Sequence, residues 1–173
     1  MTTPNKILPG FTASLWCQTG ANPTALSVSN LAVWTGEVED IVGTVANGVG
    51  TSGLQLKVEA VPAMGQDDAV ANFNVAGSRQ SDKIPTQSAP TSMTITAAWN
   101  PSDAGLLLMK NDAASGLIDR TFVVAWADGA NTEAFAFNGR VSQFHIDPSP
   151  TAETKCVFTV HPRGNQYGWS NNN

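Results

Sequence analysis

Charge is scarce in this 173-residue chain: Asp, Glu, Lys and Arg make up 13% of it, about half the share of an ordinary soluble domain. With 42% apolar residues beside so little charge, part of the surface is expected to be covered by partners. Basic runs are missing, as is any cluster of aromatics with arginine, and the net charge is −5. Affinity for nucleic acid comes mostly from basic groups that displace phosphate counterions, so a protein that does not grip DNA or RNA is the expectation. Long apolar runs are missing too, with none near the roughly 18 residues needed to span a bilayer. The amino-terminal "MTTPNKILPGF" lacks the apolar core of a secretory signal. A chain assembled in a cytoplasm, with no membrane contact, is the expectation.

Cysteine and histidine are equally sparse, at two each. Without an export signal, Cys17 and Cys156 are expected to be free buried thiols. His145 and His161 come without the paired spacing of a zinc site, and His145-Ile146-Asp147 reads as the solvent face of a strand. No G-x-S-x-G elbow is present, and no serine is placed by sequence to meet a histidine. Gly48, Gly50 and Gly53 match G-x-G-x-x-G, but an alternating strand follows where the dinucleotide motif needs a helix. The chain is read as no enzyme, with no cofactor, metal or catalytic residue.

What is present is strand pattern. "FTASLWC" (11–17) reads as a first strand after a proline-marked arm over 1–10. "LAVWTGEVEDIVGTV" (31–45) reads as one or two strands broken at Gly36 and Gly43. In "LQLKVEAV" (54–61), Leu54, Leu56, Val58 and Ala60 take one face and Gln55, Lys57 and Glu59 the other. Residues 62–91 are polar and proline-punctuated, predicting a long exposed loop. "MTITAAW" (93–99) alternates again. Residues 120–146 predict a β-hairpin turning near Asp128-Gly129, with a bulge near Ser142-Gln143 where Phe144 leaves phase. A last strand is predicted over 154–162, then a frayed polar tail over 169–173.

One segment breaks this monotony. "NPSDAGLLLMKNDAASG" predicts a helix over about residues 101–114, with Asn100 as N-cap, Pro101 in the first turn and Gly116 as the stop. Leu106, Met109 and Ala113 form the stripe that lays it on a sheet. The whole predicts a mainly β single domain over 11–168, a β-sandwich or split barrel with one flanking helix.

The order from Thr91 onward is strand, "AAW-P" junction, helix, strand, acidic-glycine turn, strand, loop, strand. The segments "SMTITAAWNPSDAGLLLMKNDAASG", "TFVVAWADG" and "AFNGRVSQFHIDPSPTAETKCVFTVHPRG" resemble the core of the major tail tube proteins of long, non-contractile-tailed, lambda-like bacteriophages. The N-terminal half agrees only in layout. The chain ends soon after the final strand, so the extra immunoglobulin-like domain of some relatives is expected to be absent. The resemblance implies a structural virion protein whose hexameric rings stack into a hollow tube through which the genome is ejected. The inner tubes of contractile tails and of type VI secretion are near neighbours, and a monomeric immunoglobulin-like binding or adhesion module is the competing class.

The partners so implied are further copies of the chain, the tail tip, tape measure and tail terminator proteins, with DNA passing without specific binding. Edge strands become ring interface. The arm and the long loop are expected to order against the adjacent ring, making Lys6, Ile7, Leu8, Arg79, Lys83 and Ile84 candidate inter-ring contacts. Between Gly36 and Lys83, seven carboxylates stand against three basic residues. Glu37, Glu39, Asp40 and Glu59 are therefore the candidate lumen carboxylates of a wall that repels DNA.

Overall fold

The computed structural model describes residues 13–21, 53–74, 81–128, 131–149 and 151–171. Eight strands and one helix occupy them: β1 (Ala13–Gln18), β2 (Gly53–Leu56), β3 (Gln66–Asn74), β4 (Ser81–Pro90), β5 (Met93–Ala98), α1 (Ala104–Ser115), β6 (Asp119–Asp128), β7 (Asn131–Asp147) and β8 (Lys155–Asn171). Six strands form one antiparallel sheet in the order β2-β1-β6-β7-β8-β5, while β3 and β4 pair only with each other. Beyond β2 the chain reaches β5 through a Val58–Ala97 bridge, so the ends of the sheet order meet. The mainly β fold with a flanking helix is as expected, and "split barrel" describes it.

Period two explains the core. Leu15 and Cys17, Phe122 and Val124, Phe137 and Val141, Phe158 and Val160, Met93 and Ile95 all turn to one side and are buried together with Leu106 and Met109 of α1. Phe122 and Phe137 stack with ring centroids 5.6 Å apart. The run "FVVAWA" is apolar on both parities because β6 is buried on both faces, Val123 and Ala125 being as enclosed as Phe122 and Val124.

Helix α1 starts later than predicted. Asn100 Oδ1 accepts from the Ser102 amide at 2.9 Å and the Asn100 carbonyl from the Asp103 amide at 3.1 Å, so Asn100 to Asp103 is a turn with proline at its second position. The N-cap is Asp103, whose Oδ1 accepts from Gly105 N at 2.9 Å and Leu106 N at 3.1 Å. Gly116, at φ 63°, ends the helix as expected. Leu106 and Met109 are buried and Ala113 packs against the core, as the predicted stripe requires.

The predicted bulge is present: the β7–β8 register shifts between Ser142 and His145, and Gln143 sits at φ 56°. That extra residue returns Phe144 to the core side, where it meets Trp99 edge-on at 5.6 Å and stacks on Phe158 at 6.0 Å. Asp128 pairs with Asn131, placing the β6–β7 connection at residues 129–130 as expected.

Three expectations need correction. The strand predicted over 54–61 stops at Leu56 and bends at Lys57, where Val58 N–H donates to the Leu56 carbonyl at 3.0 Å; a chain crossing from β1 to β5 has to turn a corner there. The long loop predicted over 62–91 is the hairpin β3–β4, with Ala71 opposite Ile84 and Asn72 opposite Lys83. It escaped the period-two reading because the described side chains of 67–72 and 83–89 are exposed on both faces, leaving no apolar alternation. The tail predicted to fray from 169 is strand to Asn171, with Tyr167 opposite Ala136 and Trp169 opposite Ala134; backbone pairing to the long β7 does not depend on apolar side chains. The arm, the 31–45 strands, Phe11, Gly48 and Gly50 lie outside the described residues, while Gly53 opens strand β2 and no helix.

Candidate assembly surface

Hairpin β3–β4 is stitched by its own side chains. Thr86 Oγ1 donates to the Ala69 carbonyl at 2.8 Å where the register shifts, and Thr91 Oγ1 donates to Asp67 Oδ2 at 3.3 Å. Pro85 and Pro90 have no N–H to give and are tolerated where β4, among the described residues, has a partner on one side only. At the hairpin base, Thr91 N and Gln166 Nε2 both donate to the Gly65 carbonyl, at 3.1 and 3.4 Å. A two-stranded hairpin is marginal in water unless something packs on it, and Val70 is 53% exposed here.

A second surface runs across β6, β7 and β8 on the face opposite the core. Asp119, Arg140 and His161 share one cross-strand row. Arg140 Nε donates to Asp119 Oδ1 at 2.7 Å and Arg163 Nη1 to Oδ2 at 2.8 Å. The hydrogen bond from Arg140 and the two guanidinium charges hold the Asp119 carboxyl below its usual range. His161 Nε2 meets Ser142 Oγ at 2.7 Å and Nδ1 meets Ser92 Oγ at 2.8 Å, tying β7, β8 and the chain entering β5. Both ring nitrogens are thus taken by hydroxyls and neither by a carboxylate, unlike the imidazole of a nucleophile–base–acid triad. This ladder was missed in the sequence, although its signal is there: Asp119, Arg140 and His161 each stand three positions from a core phenylalanine, Phe122, Phe137 and Phe158, and so on the opposite face.

Beneath α1, Arg120 and Asp112 form a buried bidentate pair, with Arg120 Nη2 donating to Asp112 Oδ1 at 2.8 Å. Arg120 Nη1 also donates to the carbonyls of Thr19 and Gly20, at 2.6 and 2.8 Å. One guanidinium thereby joins the helix, β6 and the exit of β1. Cys17 and Cys156 are buried free thiols, as expected. Burial pushes the Cys17 thiol up to about 12, Arg120 offsetting part of the rise; burial also raises Cys156.

Of the candidate lumen carboxylates, Glu59 is exposed, with Oε1 2.5 Å from Lys155 Nζ, while Glu37, Glu39 and Asp40 lie outside the described residues. Of the candidate inter-ring contacts, Lys83 is exposed on β4 with Ile84 beside it in the strand; Lys6, Ile7, Leu8 and Arg79 lie outside. His145 and Asp147 are exposed, and no group of three metal-ligating side chains occurs among the described residues. No described helix is long and apolar enough to cross a membrane.

No protein-family model matches this sequence, and no curated protein matches it significantly. Solved structures do match. A chain from the anti-feeding prophage (AFP) baseplate, 6-fold symmetrised, is 7% identical with a TM-score of 0.62, over 98% of this chain and 97% of that one. A chain from the sheath/tube terminator of an extracellular contractile injection system (PVC) is 9% identical with a TM-score of 0.61, over 98% and 100%. A chain of the SPP1 tail tube is 11% identical with a TM-score of 0.56, over 94% of this chain and 78% of that one. At such identities the likeness is one of fold. Among its described residues the chain has a mainly β fold with one helix, a fold it shares with the SPP1 tail tube chain.

Proposed function

We propose that this chain is the subunit of a tail tube, a virion component assembled in the host cytoplasm, in which six copies close a ring and rings stack into the conduit for genome ejection. The observation that carries the reading is agreement of fold along almost the whole chain with components of such assemblies, one of them 6-fold symmetrised. The exposed β3–β4 hairpin supports it: in a stack, the adjacent ring covers what the subunit leaves bare, with Lys83 and Ile84 at the contact beside Lys6, Ile7, Leu8 and Arg79. A ring uses heterologous contacts, closing around its axis while its two faces stay free to stack. The tail tip, tape measure and tail terminator proteins are the partners at its ends and in its bore.

The bore needs DNA to slide without sticking. Lys or Arg facing DNA would add an attractive, counterion-releasing contact at every ring; Glu37, Glu39, Asp40 and Glu59 are assigned instead to the wall or near it. Screening limits the repulsion to about 8 Å at physiological salt. Glu59 faces Lys155, which offsets part of its share of the wall charge. The role is read as structural and not catalytic.

A second reading, the tube of a contractile system, is favoured by one observation: two contractile-system chains are matched over 97% and 100% of their length, against 78% for the SPP1 chain. The two kinds differ in whether a sheath binds the outer wall. The test of the shared reading is replacement of residues 66–90 by a short Gly-Ser linker. The variant is expected to stay folded and monomeric and to form no rings or tubes, with or without a nucleating tail tip. Rings formed as by the intact chain would contradict the reading.

A further inference from the structure

Among the described residues, the sheet closes on itself at one place. Four register pairs join β2 to β1, yet the closure onto β5 is a single antiparallel bridge, Val58 to Ala97. The hydrogen bond that makes the bridge is the Glu59 amide donating to the Thr96 carbonyl at 2.9 Å. The segment 57–60 is otherwise held by its charges. Lys57 Nζ lies 3.8 Å from Oδ2 of Asp103, the N-cap of α1. Glu59 Oε1 lies 2.5 Å from Nζ of Lys155, the first residue of β8, and Glu153 stands 3.9 Å from the same ammonium. Val58 adds the one apolar anchor, packed against the core.

We propose that residues 57–60 are an electrostatic latch over the open edge of β5. Closed, the segment occupies backbone groups of an edge strand that otherwise offers a template for pairing with another chain. Open, it exposes the Thr96 carbonyl and the backbone beside Ala97 on the side away from β8. The latch is weaker than the rest of the barrel because ion pairs at the surface are screened and exchange readily with water. Opening is therefore local and governed by ionic strength, and it needs no unfolding of β6, β7 or β8. The inference does not depend on the tube reading, since it concerns the single subunit.

Amide hydrogen exchange of the dilute monomer tests it, comparing Glu59 with Phe158, the register partner of Ile95 in β8. Raising salt to 1 M shortens the Debye length to about 3 Å. The Glu59 amide is then expected to exchange about two- to fivefold faster, with Phe158 unchanged. Lys155→Ala at low salt is expected to do the same, and the salt series on the unaltered chain stands on its own if that variant folds poorly. In sedimentation, the opened variant is expected to self-associate more than the unaltered chain. Exchange at Glu59 that ignores salt, or that rises in step with Phe158, overturns the latch. A variant that opens but associates no more than the unaltered chain overturns its protective role.

Discussion

Arg120 and Asp112 pair eight residues apart, the guanidinium at the start of β6 gripping a carboxylate in the last turn of α1, both almost fully buried. The same guanidinium satisfies two backbone carbonyls where β1 ends, at Thr19 and Gly20. Breaking a buried pair leaves an uncompensated charge, which costs about 3–5 kcal/mol. Arg120→Ala is therefore expected to lose about that much in urea unfolding. Asp112→Leu with Arg120→Met, which removes both charges, is expected to lose less, its residual cost arising from the two carbonyls left without a donor. A double variant as damaged as the single one would show that the charges are not the issue.

The face of α1 gives a paired prediction. Leu106 is 1% exposed and Leu107 36%. Leu106→Asp is expected to cost about 3–5 kcal/mol by burying an unpaired charge, and Leu107→Asp under about 1 kcal/mol. Thermal unfolding of the two side by side checks the assignment, and a reversed order would refute it.

Much of this was legible because the sheet announces itself through alternation. Phe122, Val124 and Trp126 face one way, and the break of phase at Phe144 marks the bulge. The helix stripe and the Gly116 stop were legible for the same reason. What stayed hidden obeys other rules. The described side chains of hairpin β3–β4 are exposed on both faces, so its pairing leaves no apolar alternation. Asp103 rather than Asn100 caps the helix because an Asn-Pro pair starts a turn as readily as a helix. The Asp119, Arg140 and His161 row depends on strand order, which alternation alone does not supply.

The thiols should be inert in the native protein. Both pKa values are raised by burial, Cys17 to about 12, against about 8.5 for a free cysteine, and the thiolate is the reactive form. A thiol reagent at pH 8 is expected to find no reactive cysteine in the folded chain and two after denaturation. Fast native labelling at either position would contradict the burial of Cys17 and Cys156.

Asp119 makes stability depend on acid. Its folded pKa is lowered, chiefly by the Arg140 hydrogen bond, so its contribution is fully present above the unfolded value of about 3.9 and is lost as pH falls through the folded one. The stability gap between the unaltered chain and Asp119→Asn is expected to be largest near neutrality and to shrink below about pH 4. A gap that does not change with pH would mean that the carboxylate charge plays no part.

The proposed role of this chain is to build a tube. Electron microscopy of the concentrated protein, alone and with a nucleating tail tip, tests it most directly. Six-fold rings and tubes of one diameter are predicted, with hairpin β3–β4 lying between rings. A protein that remains monomeric under both conditions, or rings that close with another symmetry and leave the hairpin in solvent, would contradict the account.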